Sequence, residues 1–324
     1  GGGLLAAVIL GFLWGADLQT HTDYLLDPVY PSLALLAVYL AGSLLSFVRT
    51  ETDRARVKRA FGHYVAAPLV EDLAADPSRL KLGGETRDVT LLFADVRGFS
   101  RLSEGMDAEA VIRFVNRLFT PLSEVILEHR GTIDKFMGDA VMAFWNAPVV
   151  DPDHAARACR AALAMQVQMD RLNREEAARR AAAGEPAAPV RIGIGLNTGA
   201  CCVGNVGSPG RFDYSVLGDP VNVAARIEDA TKIYGAPILA GERTAREAAT
   251  FAFLEIDTAA HLKGKDRPER LFALVGDEAV AASPAFAKLT AHYAKLRTAL
   301  AEGATAAATS AVAACRAAAR DLPG

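Results

Sequence analysis

The chain has 324 residues, and 35 Lys and Arg against 38 Asp and Glu give a formal net charge of -3. That length suits two or three units with a sizeable core, and so even a charge balance excludes a general nucleic-acid binder, which needs a clustered basic surface. The four cysteines, Cys159, Cys201, Cys202 and Cys315, form no CxxC pair and have no His at ligand spacing, so neither a zinc centre nor a disulfide framework is indicated.

The chain opens at Gly1 without a methionine and reads as a piece of a longer protein. Leu4 to Trp14 is apolar but about half the length of a spanning helix, and is expected to be the end of one. The run 31–48, PSLALLAVYLAGSLLSFV, carries no charge and predicts a transmembrane helix. Asp17, Asp23 and Asp27 precede it without any Lys or Arg, whereas Arg49, Arg54, Arg56, Lys58 and Arg59 follow it. By the positive-inside rule, the remainder is expected in the cytoplasm, behind a multi-pass anchor in the inner membrane. Over 49–87, Val57, Phe61, Tyr64, Val65 and Leu69 fit either a connecting helix, interrupted at Pro68, or a solvated linker.

From Asp88 to Gly276 the pattern alternates. Val89 to Ala94 reads as a strand and Ala108 to Arg130 as an amphipathic helix; IDKFMGDAVMAFW, 133–145, reads as a hairpin turning at Gly138-Asp139. Then come a helix from His154 to Asn173, an exposed extension or loop from Glu175 to Pro189, and a strand from Val190 to Leu196. A Gly-rich hairpin from Val203 to Val216, a helix from Val221 to Tyr234 and strands near Ile238 and Leu271 complete the unit. This order predicts an α+β sandwich. The Ala-rich tail 277–324 predicts a helical hairpin broken at Gly303.

Asp95 ends an apolar strand, where a carboxylate serves as a metal ligand or as a helix N-cap. Asp139 offers a second carboxylate, and hard divalent ions are commonly held by one or two carboxylates plus substrate phosphates. In GDPVNVAAR, 218–226, Asp219 suits the N-cap and Pro220 the first helical position, so Asn222 and Arg226 share one face. The guanidinium could hold a phosphate while the amide orients a sugar, and the same pair also fits a plain solvated face. Phe136, Phe144 and Trp145 read as core.

Taken together, FADVRGFS, GTIDKFMGDAVMAFW, VRIGIGLNTG, YSVLGDPVNVAARIE and HLKGK, in this order, closely resemble the catalytic domain of class III nucleotide cyclases. The resemblance implies a ferredoxin-like mixed sheet with helices, acting as a homodimer with nucleotide at the interface. It implies that Asp95 and Asp139, helped by the backbone of Val96, bind two Mg²⁺ or Mn²⁺ ions. Lys135 matches the purine-contacting lysine. Ser215 stands where many members carry Asp, resembling a bacterial subgroup with Thr or Ser there; with Lys135 it favours ATP. Asn222 and Arg226 match the ribose-orienting and transition-state residues, Lys263 a lysine on the terminal phosphates, and Arg191 a phosphate-contacting arginine. Asp139 is then expected to serve one nucleotide and Lys135 the other. The expectation is a membrane-anchored adenylate cyclase, with a guanylate cyclase or a catalytically silent nucleotide-binding module as alternatives. KRAFGHYV, 58–65, resembles bacterial cyclases with an extracytoplasmic CHASE2-type sensor, which predicts such a sensor upstream.

Overall fold

The structure, a computed structural model, describes residues 33–45, 47, 83–186, 188–208, 211–260 and 268–322. Residues 33–45 are helical, yet no helix among the described residues is long and apolar enough to cross a membrane. At 1.5 Å per residue that run reaches roughly 20 Å, against a hydrocarbon core of roughly 30 Å. The transmembrane helix expected over 31–48 is therefore not supplied by the described residues. Its ends, the segment 4–14 and the connecting segment 49–82 lie outside them.

Strand β1, Gly83–Val96, is the centre of the domain. Its apolar run is nearly continuous because both faces are covered. Val89, Leu91 and Phe93 join one cluster with Phe144, Val203, Val216 and Ala224, while Leu92, Ala94 and Val96 join another with Leu118, Leu122, Trp145, Met165 and Ile194. Successive side chains point to opposite faces of a strand, so odd and even positions sort between two layers. On the even side lie α2, Ala108–Glu128, and α3, His154–Ala182; a short helix α1, Phe99–Ser103, precedes them. On the odd side lies α4, Asp219–Tyr234. Trp145 and Phe144 are fully buried, but Phe136 is 49% exposed and stacks on Phe119, so it is not the core residue expected.

The remaining strands are β2, Thr132–Met137; β3, Ala140–Trp145; β4, Ile192–Ser208; β5, Arg211–Leu217; β6, Ile238–Gly241; β7, Ala252–Ala260; and β8, Glu269–Gly276. A short α5, Glu242–Glu247, links β6 to β7. The sheet runs β2-β3-β1-β4-β6-β8-β7 with β5 paired to β4; only the β4 and β6 pairing is parallel. This is a mixed α+β fold with an open mixed sheet. Helices α6, Glu278–Ala281; α7, Pro284–Ala301; and α8, Thr305–Arg320, follow, and α7 and α8 pack across the break at Gly303.

Several boundaries differ from the sequence reading. β1 begins at Gly83 rather than Val89 because its polar start pairs backbone to backbone with Cys202–Asn205. β4 is one strand through Ser208, where periodicity had suggested a strand and a separate hairpin. α3 runs on to Ala182, its solvated end tied by Arg171 with Glu175 and by Arg179 and Arg180 with Glu176. At α4, Gly218 stands at the cap and Asp219 is already helical.

Two glycines of β4 set how closely α4 lies on the sheet. A Cβ at Gly195 would come within 2.3 Å of the Glu228 amide nitrogen and 2.5 Å of the Ala224 carbonyl, and one at Gly193 within 2.3 Å of Thr231 Oγ1. Gly193 is the register partner of Asp95. The same close approach therefore brings the C-terminal half of α4 beside the end of β1.

Candidate active site

Asp95 is an odd-numbered β1 residue and faces α4. Its Oδ2 accepts a hydrogen bond from Lys232 Nζ at 3.0 Å. The same ammonium lies 3.2 Å from Asp229 and 3.6 Å from Glu228, a buried carboxylate. Asp139 follows Gly138, whose φ of 64 closes the β2 to β3 turn, and precedes Ala140, the register partner of Asp95. The register sets the two aspartates beside each other. Burial first, and then Asp95, push the Asp139 carboxyl up to about 6. Burial likewise pushes Glu228 up to about 7, against the pull of Lys232. Burial works against the Lys232 ammonium too, but Asp95, Glu228 and Asp229 outweigh it and raise its pKa.

Two neighbouring carboxylates, with a lysine drawn onto one of them, form an oxygen-rich site. Among the described residues no group of three or more His, Cys, Asp or Glu could hold a metal by itself. That donor set fits a hard divalent ion that takes one or two carboxylates and completes its shell with water and phosphate oxygens. The backbone of Val96, buried beside Asp95, is the adjoining carbonyl. Sequence reasoning did not single out Glu228 or Lys232; the two are four residues apart and share the face of α4 turned toward Asp95, a different face from that of Asn222 and Arg226.

Lys135 and Ser215 come together elsewhere. The β2 and β3 register slips between Ile133 and Lys135, which puts Asp134 at a bulge. Asp134 is 3% exposed and accepts a hydrogen bond from Ser215 Oγ at 3.0 Å, while Lys135 Nζ lies 3.5 Å from its other oxygen. Burial raises the Asp134 pKa, opposed by Lys135 and Ser215. The carboxylate between the two predicted base-contacting residues was missed by sequence reasoning. Simple alternation along β2 has no room for a bulge, although an Asp inside a strand before a Lys was a usable signal.

Asn222 is exposed and Arg226 half-buried on α4, and among the described residues neither side chain makes a hydrogen bond or ion pair. Arg191 is exposed at the Asp95 end of the sheet, its carbonyl accepting from the Arg97 amide at 2.8 Å. Lys263 lies outside the described residues. Cavities of about 400 and 720 Å³ open near His154 and Glu247 and between α2 and β2, and neither is lined by any predicted site residue. One chain thus holds two side-chain clusters and a pair of unengaged groups, without a pocket closed around them by either cavity.

The profile of the adenylate and guanylate cyclase catalytic domain matches residues 84–274. Adenylate cyclase 1 of Rhizobium meliloti is 38% identical over 190 residues, covering 59% of this chain and 28% of that protein. An adenylate cyclase of Anabaena cylindrica is 38% identical over 184 residues, 56% of this chain and 35% of its own length. The match thus spans about a third of these relatives. Among solved structures, the guanylyl cyclase Cya2 aligns with a TM-score of 0.53 at 34% identity, over 60% of this chain and 95% of its own. The adenylyl cyclase CyaB from P. aeruginosa aligns at 0.52 and 32% identity, over 60% and 96%. With more than half its length inside that profile and the mixed sheet of those structures, the chain belongs to the adenylate and guanylate cyclase catalytic domain family.

Proposed function

We propose that the chain is an adenylate cyclase that converts ATP to 3',5'-cyclic AMP and pyrophosphate at a site shared by two copies. The observation that carries this reading is that Asp95, held by Lys232 at 3.0 Å, stands beside Asp139 at the end of β1, a carboxylate pair suited to divalent cations that carry phosphates. Divalent ions bound there would lower the pKa of the ribose 3'-hydroxyl and neutralise the departing pyrophosphate. The 3'-oxygen bonds to the α-phosphorus as the bond from that phosphorus to the bridging oxygen breaks, and the hydroxyl proton passes to solvent. Asn222 orients the ribose and Arg226 stabilises the charge growing on the α-phosphate; loss of such a donor costs on the order of a hundredfold in rate. Arg191 and Lys263 bind phosphates. Lys135 and Ser215 read the purine. Among the described residues Asn222 and Arg226 engage no partner within the chain, which fits a site built across two copies, each drawing its carboxylates from one copy and Lys135, Ser215, Asn222 and Arg226 from the other.

The test is cyclic nucleotide formation by the full chain with Mg²⁺ or Mn²⁺, on matched ATP and GTP. Asp95→Ala and Arg226→Ala chains, each inactive alone, are expected to recover activity when mixed, since one of the two shared sites is then intact. A mixture no more active than either variant refutes the shared site, a GTP preference moves the assignment to guanylate cyclase, and binding without product reduces the chain to a silent nucleotide-binding module. We further infer that the apolar run 31–48, whose Leu33, Leu40, Leu44 and Leu45 are exposed, holds the chain at the inner membrane. Release of the chain from membranes by salt alone would refute the anchor.

A further inference from the structure

A serine hydroxyl is an ambiguous reader of a purine, because it both donates and accepts. Adenine presents an acceptor at N1 beside a donor at the 6-amino group; guanine presents the reverse, a donor at N1 beside an acceptor at O6. A lysine and a freely rotating serine would serve either base. Solved structures similar to this chain include both a guanylyl and an adenylyl cyclase, so likeness leaves the purine open.

The bulge residue Asp134 removes the ambiguity. Ser215 donates its one proton to Asp134 Oδ2 at 3.0 Å, in a contact where both residues are buried. The remaining lone pairs of Ser215 can only accept. Lys135 Nζ, 3.5 Å from the other carboxylate oxygen, favours the accepting, ionised form of Asp134 and is itself only a donor. Its side chain is 49% exposed and can turn to a ring nitrogen, whereas Ser215 is 4% exposed. A mismatched polar pair is most costly at a buried group such as Ser215, where water cannot make good the lost bond.

We propose that Asp134 is the positioning residue that sets purine choice: by taking the Ser215 proton it makes the pair Lys135 and Ser215 a donor beside an acceptor, the complement of adenine and the mismatch of guanine. The inference rests on the adenylate cyclase reading and sharpens it. It acts through Ser215 rather than by touching the base.

Asp134→Asn keeps the shape but offers an amide that can donate to Ser215, which frees the hydroxyl proton to face guanine O6. The full chain is assayed for ATP and GTP turnover, and in parallel both nucleotides displace a fluorescent ribose-labelled nucleotide in the presence of Ca²⁺. The wild-type preference for ATP is expected to fall about tenfold or more in Asp134→Asn, in turnover and displacement alike. Ser215→Ala is expected to lose preference to a similar degree, and Asp134→Asn added to it is expected to cost nothing further. An unchanged ATP to GTP ratio in Asp134→Asn overturns the proposal, as does an equal fall in the Ser215→Ala background, which would mean that Asp134 acts independently of the serine. A wild-type chain that prefers GTP fails the underlying reading instead, and one that forms no product still reports the ratio by displacement.

Discussion

Replacing Lys232 with Met tests whether the carboxylates at the end of β1 form a cation site. Lys232 Nζ sits 3.0 Å from Asp95 Oδ2, and the two side chains are 42% and 24% exposed. Unit charges at that distance attract by about 1.4 kcal/mol even at the dielectric constant of water, the screened limit that suits so open a pair. An incoming divalent ion has to replace this attraction, so removal of the ammonium should tighten Mn²⁺ binding about tenfold, since 1.4 kcal/mol is a factor of ten. Met keeps much of the aliphatic stem, and Glu228, pushed up to about 7, can take a proton near neutral pH rather than remain a buried unpaired charge. The assay is a Mn²⁺ titration of the nucleotide-free chain by electron paramagnetic resonance or calorimetry, with Asp95→Ala as the non-binding control. Affinity for Mn²⁺ equal to or weaker than that of the parent chain would refute the view that Lys232 competes for the site.

Gly195→Ala places a methyl against the backbone of Glu228 and Ala224, neither of which can rotate away, so a loss of about 1–3 kcal/mol or more is expected in chemical denaturation; an unchanged midpoint would show that α4 can lift freely. Trp145→Ala empties a fully buried site and removes the indole hydrogen bond to the His129 carbonyl, for an expected loss of about 3–5 kcal/mol by the same measurement. His154 is held below its usual value of 6.5 chiefly by burial, with Glu247, Asp151 and Asp88 opposing and Arg243 assisting. Its folded pKa is depressed, so its contribution to stability is complete above 6.5 and is lost as pH falls from 6.5 toward the folded value. Because Asp139 and Glu228, raised by burial, add stability as pH falls, the readout is the difference: between pH 7.5 and 5 the melting temperature of the parent should fall relative to that of His154→Gln, and identical slopes in the two proteins would discount His154.

What could be read directly from the sequence was what periodicity encodes. The run 89–94, the helix from Ala108, the hairpin about Gly138 and the helix carrying Asn222 and Arg226 all bury a regular apolar face. Pairing by backbone alone left no such mark. Glu85, Thr86 and Arg87 are strand residues because Val203, Cys202 and Cys201 lie opposite them, and β4 continues through Gly199 and Gly204 where no side chain signals it. β7 was missed for a related reason: its pairing with β8 shifts register three times, which blurs alternation. At the candidate site, the approach of Asp95 to Asp139 followed from strand end and turn. The meeting of Asp134 with Ser215 depends on β5 reaching β2 across 81 positions of sequence, and no local pattern carries that.

Gly195 beneath α4 leaves no layer of side chains between the helix backbone and the sheet at that point. A packed layer of side chains can shear by changing rotamers; backbone against backbone cannot. Arg226 near the middle of α4 and Lys232 near its end are thus fixed to the same rigid body as Asp95. A regulatory signal arriving at this domain has little to deform inside one copy; in the proposed two-copy arrangement its natural lever is the angle between the copies, which would open or close both sites at once.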